Sequence, residues 1–357
     1  MAYSNIDKGS KYFTAKTYTA NASTQNITGL EFQPDFVWTK SRANAYNHNN
    51  YDAVRGATKN IGTNQTRAES TDANSLTSFN SDGFTLGYNE DSNYTNGSTA
   101  VSWCWKANGA GVSNTSGTIS STVSANTTSG FSIVSYTGNG TSGATIGHGL
   151  GVTPKMFIIK ARGASVNWRV YHSSIGNTAG LALNTTGGSD TNSGFFNNTS
   201  PTSTVFTVGD GSTVNTSSGT YIAYCFAEVK GFSKFGSYTG NGSTDGTFVY
   251  TGFKPAFVMT KSSSTGGTYY DWGMMDNKRA NPFNVIDAQV CANLSDEENS
   301  ANIGSQKIDF LSNGFKPRVN GSSHNGSGVT YIYMAFAESP FVSSKGLPTT
   351  ARWFGLF

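Results

Sequence analysis

Short apolar runs that begin with proline and end with lysine occur three times along the chain. They read PDFVWTK at 34–40, PKMFIIK at 154–160 and PAFVMTK at 255–261. β-Branched and aromatic residues favour strands, and a strand tolerates proline at its first position. Phe36 and Trp38 lie two positions apart, so they share one face of such a strand. The pattern predicts a strand in each run, with the closing lysine at a solvated strand end.

A second block alternates large and small residues. It reads AVSWCWKA at 100–107, YIAYCFAE at 221–228 and YIYMAFAE at 331–338. Alternation places the large aromatic or methionine side chains on one face of a strand. Small residues lie on the other face, and they are Cys104, Cys225 and Ala335. One large face and one small face predict a strand of a tightly packed sandwich.

These blocks recur in one order, and the turn sequence SYTGNG stands at both 135–140 and 237–242. Internal repetition of this kind indicates repeated structural units. The sequence therefore predicts an all-β fold of three tandem antiparallel β-sandwich repeats of about 100 residues each. The predicted boundaries are a divergent repeat 1 at 1–108, a Ser/Thr/Gly-rich segment at 109–130, repeat 2 at 131–231, repeat 3 at 232–341 and a C-terminal tail at 342–357.

The segment 109–130 has two interpretations. Its low-complexity composition is typical of a flexible linker. Val112, Ile119 and Val123 are spaced through it, however, and they favour an extended segment that lies along a domain or against a neighbouring chain. Because uncharged extended edges invite strand pairing, we also predict a homo-oligomer.

Composition and charge argue against some classes of binding partner. Charged residues make up 13% of the chain and the formal net charge is +3, with lysine and arginine scattered along it. This pattern argues against nucleic-acid binding. No stretch approaches 18 apolar residues, and the first residues lack the apolar core of a signal peptide, so we expect neither membrane insertion nor secretion by a signal peptide.

Candidate chemistry is sparse. The four histidines are dispersed and the three cysteines, Cys104, Cys225 and Cys291, form no disulfide framework, so we predict free thiols and no metal site. Acidic groups at 90–91 and 296–298 are interpreted as solvated loops. No residues are selected as catalytic, and neither enzymatic activity nor a cofactor is expected.

Exposed aromatic residues are the remaining lead, because sugar rings stack on aromatic faces. The third repeat contains TYYDWGMMD at 268–276, which is richer in large side chains than its counterparts at 50–56 and 167–173. Aromatic residues and methionine are enriched where partners bind. The predicted partner- or glycan-binding residues are Tyr269, Tyr270, Trp272, Met274 and Met275; ordinary packing in the domain core is the alternative.

Several long strings resemble a repeated β-rich domain family of marine tailed-phage (cyanophage-like) virion proteins. They include GHGLGVTPKMFIIKAR, YIAYCFAEVKGFSKFGSYTGNG and YIYMAFAESPFVSSKGLPTTAR, and the resemblance covers about 103–352. It implies a structural protein of the virion, made in the host cytoplasm, that is a tail-associated, fibre-like component involved in host attachment. The implied partners are other virion proteins, further copies of the chain and a host surface glycan or receptor. A stand-alone glycan-binding, lectin-like module and a head-decorating virion protein are the alternatives.

Overall fold

The computed structural model describes residues 4–279, 283–303, 306–337 and 339–340, so the predicted tail at 342–357 lies outside the described residues. The protein is all-β, and its sheets are antiparallel. The helices among the described residues are one α-helix, α1 (Ser193–Phe196), and two 3-10 turns, Gly9–Lys11 and Ala301–Ile303.

We call residues 4–108 the first unit. Its larger sheet has the order β1-β9-β3-β4, its smaller sheet has the order β2-β8-β7, and β5 pairs with β6. The strands are β1 (Phe13–Thr19), β2 (Gln25–Thr28), β3 (Phe36–Ser41), β4 (Asn49–Asp52), β5 (Lys59–Asn60), β6 (Ser70–Thr71), β7 (Leu76–Asn80), β8 (Gly83–Leu86) and β9 (Thr99–Trp105).

The second unit spans 109–231. Its larger sheet has the order β10-β11-β12-β19-β14-β15, while β13 pairs with β18 and β16 with β17. The strands are β10 (Val112–Asn114), β11 (Ser121–Asn126), β12 (Phe131–Thr137), β13 (Ala144–Gly147), β14 (Met156–Ala161), β15 (Arg169–His172), β16 (Ala179–Gly180), β17 (Asp190–Thr191), β18 (Val205–Val208) and β19 (Thr220–Phe226). The segment 109–130 thus supplies two strands at the edge of this sheet.

The third unit comprises the described residues from 232 onwards. Its larger sheet has the order β20-β27-β22-β23-β24 and its smaller sheet the order β21-β26-β25. The strands are β20 (Ser233–Thr239), β21 (Val249–Tyr250), β22 (Pro255–Ser262), β23 (Gly273–Asp276), β24 (Gln289–Cys291), β25 (Ile308–Leu311), β26 (Gly314–Pro317) and β27 (Thr330–Ala337).

The alternating strands β9, β19 and β27 are central in the three larger sheets, and each uses its two faces differently. The small residues Cys104, Cys225 and Ala335 face the smaller sheet of their own unit and belong to that unit's own core cluster. The large residues on the opposite faces, including Trp103 and Phe226, belong to one central cluster with contributions from all three units. The two-face pattern expected from the sequence is present, but its large face packs against the neighbouring units.

Aromatic rings connect the three units inside this central cluster. Phe36 of the first unit stacks on Tyr224 of the second with ring centroids 4.2 Å apart. Phe13 stacks on Phe336 of the third unit at 5.0 Å, and Phe226 of the second unit lies 6.1 Å from the same ring. Because aromatic pairs contribute beyond the apolar area that they bury, the units stabilise one another through this core.

Hydrogen bonds between main chains close the ring of units at equivalent places. The amide of Glu69 donates to the carbonyl of Arg162 (2.7 Å), that of Ser189 to Ser263 (2.9 Å) and that of Glu298 to Arg42 (2.8 Å). These pairs connect the first unit to the second, the second to the third and the third to the first. We call the three contact zones seam 1/2, seam 2/3 and seam 3/1.

Candidate functional site

The five residues proposed from the sequence divide into a buried and an accessible group. Trp272 and Met274 lie in the central cluster, and Met275 lies in the core of the third unit's sandwich. All three are less than 2% exposed, so they are packing residues and the surface prediction does not hold for them. Tyr269 is 42% exposed and Tyr270 is half-buried. The segment therefore offers two tyrosines, and not five residues, to a partner.

Tyr269 borders an open groove of about 430 Å³ on the third unit. The groove is lined mainly by polar side chains from four separated segments, among them Thr244, Tyr269, Lys307, Arg318, Asn320 and Ser322. Two further open grooves, of about 330 and 390 Å³, contain no aromatic side chain. The Tyr269 groove thus combines a flat ring with hydroxyl, amide and cationic groups, which is the combination that orients a polar ring-shaped ligand.

The backbone at Tyr269 is itself unusual. Its φ is +69°, in the left-handed region, which costs a residue with a Cβ roughly 1–2 kcal/mol. The two preceding glycines, Gly266 and Gly267, are exposed, and Gly267 also has a positive φ of +133°. The chain therefore holds a tyrosine in a conformation that suits glycine or asparagine better.

The other two units show which features of the groove the fold does not require. Strand pairing makes Asn50, Val170 and Met274 equivalent, because they face Trp38, Ile158 and Met259. Counting back along the chain, Ala45 and Ser165 occupy the position of Tyr269.

The same comparison applies to the opposite wall of the groove. Phe84, Phe206 and Phe315 are equivalent in the smaller sheets, where they pair with Ile27, Ile146 and Val249. Gly87 and Gly209 therefore occupy the position of Arg318. The tyrosine and the arginine are additions to the third unit that its fold does not need.

Charges around the groove are mixed. Arg318 forms ion pairs with Asp245 (2.8 Å) and Asp309 (3.4 Å), and Asp245 also pairs with Lys316 (2.6 Å). The hydrogen bond from Lys316, followed by its charge, lowers the pKa of Asp245. The carboxylates hold Arg318 in place while Lys307 is exposed at the other side. Lys307 and Arg318 were missed from the sequence because they lie far from the tyrosine along the chain.

The lysines that close the three apolar runs are fully buried, so their prediction as solvated strand ends is wrong. Lys160 donates to the carbonyl oxygens of Thr66 (2.9 Å), Ala164 (3.1 Å) and Val166 (2.9 Å). Lys261 donates to Thr186 (3.0 Å) and Ser262 (3.1 Å). Lys160 thus reaches the first unit and Lys261 the second, so each of these two lysines stabilises a seam.

Burial governs the acid–base properties of the lysines. Loss of hydration lowers the pKa of Lys40, Lys160 and Lys261 to about 8. All three ammonium groups are donors to main-chain carbonyls, Lys40 to Ser41 (2.7 Å) and Asn44 (3.1 Å). Each ammonium group thus connects two or more main-chain carbonyl groups by hydrogen bonds.

The acidic groups that were interpreted as solvated loops are also partly buried. Glu90 is 0% exposed and accepts hydrogen bonds from Thr39 (2.6 Å), Asn49 (3.1 Å) and Tyr51. Burial raises its pKa. Glu298 pairs with Arg42 (2.6 Å) across seam 3/1. The prediction of solvated loops is therefore wrong for both glutamates, because each finds its partners in distant parts of the chain.

The histidines of the central region also make defined packing contacts. Trp38 donates to Nδ1 of His48 (2.8 Å), which leaves Nε2 of the neutral ring to donate to the carbonyl of Cys291 across seam 3/1 (3.0 Å). Burial lowers the pKa of His172 to about 4 and that of His324 to about 3, so these rings are neutral at pH 7. Among the described residues, no three or more His, Cys, Asp or Glu side chains are grouped so that they could hold a metal ion. The three cysteines are buried free thiols.

Fold and groove together define an antiparallel all-β protein in which three sandwich-like units share one core. The chain belongs to the family described as Domain of unknown function (DUF7483), whose model matches residues 8–340. No curated protein and no solved structure shows significant similarity to the chain. None of the helices in the described part of the chain has the length and apolar character that a membrane crossing requires.

Proposed function

We propose that this chain is a structural protein of a phage virion, a tail-associated, fibre-like component that takes part in host attachment. In this proposal the protein is not an enzyme, and the groove beside Tyr269 binds a saccharide of the host surface. The sequence resemblance over 103–352 supports the virion assignment. The observation that carries the attachment role is Tyr269, an exposed ring beside a polar groove at a position where the other units have Ala45 and Ser165.

The groove supplies the two kinds of contact that saccharides need. The ring of Tyr269 offers a flat apolar face to the C–H side of a sugar. Asn320 and Ser322 offer amide and hydroxyl groups to sugar hydroxyls, while Lys307 and Arg318 provide charged donors. Aromatic side chains anchor partners at a low entropic cost, because few torsion angles have to be fixed.

Saccharide binding is tested with Tyr269→Asn, measured on a glycan array and then by calorimetry with the best ligand. Asparagine accepts a left-handed backbone, so we expect the melting temperature to change by only a few degrees. Loss of the ring removes the stacking contact, and we expect binding to weaken at least about tenfold, which corresponds to ~1.4 kcal/mol. Tyr269→Phe keeps the ring and should retain most of the affinity.

Tyr94→Ser is the matched control, because Tyr94 is 56% exposed on the first unit, away from the groove. Its binding should equal that of the unchanged protein. If Tyr269→Asn binds as tightly as the unchanged protein, the groove is not the saccharide site.

The virion assignment is tested separately, by quantitative mass spectrometry of purified particles. A virion component co-purifies at a fixed ratio to the major capsid protein. Absence from particles, together with saccharide binding by the free protein, would favour the alternative of a stand-alone lectin-like module. Presence on heads that have been separated from tails would favour the head-decorating alternative.

A further inference from the structure

The outer face of the third unit's smaller sheet carries large apolar side chains in solvent. Phe248 is 46% exposed, Tyr250 60%, Phe283 73% and Val285 37%. Val249, between the first two, is buried in the sandwich core, so the alternation directs Phe248 and Tyr250 outwards. We call Phe248, Tyr250, Phe283, Val285 and Leu311 the apolar face.

Strand pairing shows that the apolar face extends across the sheet. Tyr250 and Leu311 both pair with Gly314, from opposite sides. The ring of Phe248 covers Gly314 so closely that a Cβ at that position would lie 3.0 Å from its Cε2. The same Cβ would lie 2.1 Å from the main-chain oxygen of Val249, so the close approach of β21 requires the glycine, and the ring of Phe248 lies against it.

Phe283 and Val285 extend the face beyond β25. The side chain of Asn284 bonds both the N–H (2.8 Å) and the carbonyl (3.1 Å) of Phe310. Ile286 exchanges main-chain hydrogen bonds with Ile308 at 2.9 and 3.0 Å. These bonds fix the segment from 283 to 286 alongside β25, so its two exposed apolar side chains lie at the far edge of the same sheet.

The equivalent faces of the other units carry polar residues or glycine. In the first unit, Asn26, Thr28 and Asn80 occupy the positions of Phe248, Tyr250 and Leu311. A solvated version of this face is therefore compatible with the fold.

In the second unit Thr145 and Gly147 occupy the positions of Phe248 and Tyr250, and the segment before β11 pairs with the free edge of β13. Ile119 bridges to Ile146, the Thr118 hydroxyl accepts from the amide of Thr145 (2.8 Å), and Ser121 donates to the carbonyl of Gly147 (3.2 Å). Among the described residues, the third unit therefore has large apolar side chains at positions where the other two units have polar residues or glycine.

We propose that the apolar face is a self-association surface, on which a second copy of this chain docks by the same face. Charge at the border of the face selects this partner. It carries two carboxylates, Asp245 and Asp309, and two cations, Lys316 and Arg318, which pair with each other at 2.6–3.4 Å. A face with balanced charges does not repel its own copy, and a two-fold arrangement allows the carboxylates of one copy to pair with the cations of the other.

The size of the face sets the expected strength. Three aromatic rings, one leucine and one valine form a centre smaller than the roughly 800 Å² per partner of a standard interface. Such a contact fits a dissociation constant on the order of 1–100 µM, which corresponds to about −8.2 to −5.5 kcal/mol. Tail assembly concentrates copies of a protein locally, so this affinity is sufficient if the proposed function holds. The self-association itself does not depend on that function.

Sedimentation velocity of the full chain between about 1 and 200 µM tests the proposal. The unchanged protein should move from monomer to dimer across this range. Phe248→Asn combined with Tyr250→Thr installs the residues of the first unit and should raise the dissociation constant at least about tenfold, with the melting temperature unchanged within a few degrees. Phe283→Ser, at the most exposed position, is an independent variant with the same expected direction.

Val112→Lys is the informative control, because Val112 is 68% exposed on edge strand β10 and offers the competing site for association. It should leave the dimer unchanged. A protein that stays monomeric at 200 µM overturns the proposal. Binding of the apolar face to a membrane or to another protein would not change that conclusion. Dimerisation that Val112→Lys abolishes, or that survives both the double variant and Phe283→Ser, overturns it as well.

Discussion

Lysines at equivalent positions of the three units are buried, and two of them, Lys160 and Lys261, bond a neighbouring unit. An ammonium group without water is costly unless its donors are bonded, and each lysine here donates to main-chain carbonyls of loops that need partners themselves. Lys261, for example, bonds the carbonyl of Thr186 in the second unit and that of Ser262 in its own strand. One flexible side chain thus satisfies two buried segments at once.

The lowered pKa of Lys261 predicts a pH dependence of stability. The folded value of about 8 lies below the usual 10.5, so between these pH values the unfolded chain binds more protons and the free energy of unfolding rises with pH. Relative to Lys261→Met, the unchanged protein should gain roughly 1–2 kcal/mol between pH 8 and 9.5. Urea unfolding of both proteins at the two pH values measures this difference, and the contributions of tyrosines and cysteines cancel in it.

Lys254→Met is the control for this experiment, because Lys254 is exposed. This variant removes the same charge without removing a buried hydrogen-bond donor, and it is the reference against which the result for Lys261→Met is compared. The prediction fails if the difference in free energy of unfolding between Lys261→Met and the unchanged protein is the same at both pH values. The pKa of Lys261 would then be the same in the folded and the unfolded protein.

Among the elements, the ends of β4, β15 and β23 build the seams in two chemical versions. At seam 1/2, Asp52 at the end of β4 pairs with Arg55, and the Tyr224 hydroxyl of the second unit donates to Asp52 at 2.8 Å. Asp276 and Arg279 repeat the ion pair at seam 3/1. At seam 2/3 the equivalent residues are His172 and Ile175, and Nε2 of His172 lies 3.2 Å from the carbonyl of Tyr333. Two seams therefore have a buried Asp–Arg ion pair where the third has an uncharged histidine and an isoleucine.

Arg55→Leu should lower the free energy of unfolding by about 3–5 kcal/mol, because it leaves the carboxylate of Asp52 buried without a cation. The double variant Asp52→His with Arg55→Ile installs the residues of seam 2/3 and should recover much of this loss. Urea denaturation at pH 7 gives both values.

Arg67→Leu serves as the control for charge and size, since Arg67 is half-buried and hydrogen-bonds Gln65 and Ser70. A loss of under about 1 kcal/mol is expected there. Should the double variant be as unstable as Arg55→Leu, the two seam chemistries are not interchangeable and the surrounding contacts are specific to each seam.

For the whole molecule, the shared central cluster predicts cooperative unfolding. Removing one unit would expose the large faces of the other two, including Phe36 and Phe226, to water. Differential scanning calorimetry should therefore show one transition whose calorimetric and van't Hoff enthalpies agree, at about 250 kcal/mol near 60 °C for a chain of this length.

Two or three separable transitions would contradict this expectation. They would mean that each sandwich core is sufficient to hold its own unit folded while the central cluster is open. A saccharide that binds the third unit distinguishes the two outcomes. If the units unfold separately, the saccharide raises the temperature of one transition and leaves the others unchanged.

The candidate site was predictable from the sequence only in part. The segment with Tyr269 and Tyr270 stood out because its counterparts have fewer large side chains. Trp272, Met274 and Met275 could not be separated from them, since burial in the central cluster depends on residues of the other units. Arg318 could not be predicted from the sequence, because it lines the groove only after loops that are distant along the chain have come together.

What the sequence by itself determined is local: strands follow from alternation and turns, and the all-β class follows from their number. Period-two patterns are set by the pleat of the backbone, so they can be recognised without knowing what covers each face. What only the tertiary structure decided is the environment of each residue. Lys40, Lys160 and Lys261 close apolar runs that looked like solvated strand ends, yet each is buried. The physical reason is that hydration is lost through contacts with distant parts of the chain, and neither the burial of a charge nor its hydrogen-bonding partners is encoded in the neighbouring residues.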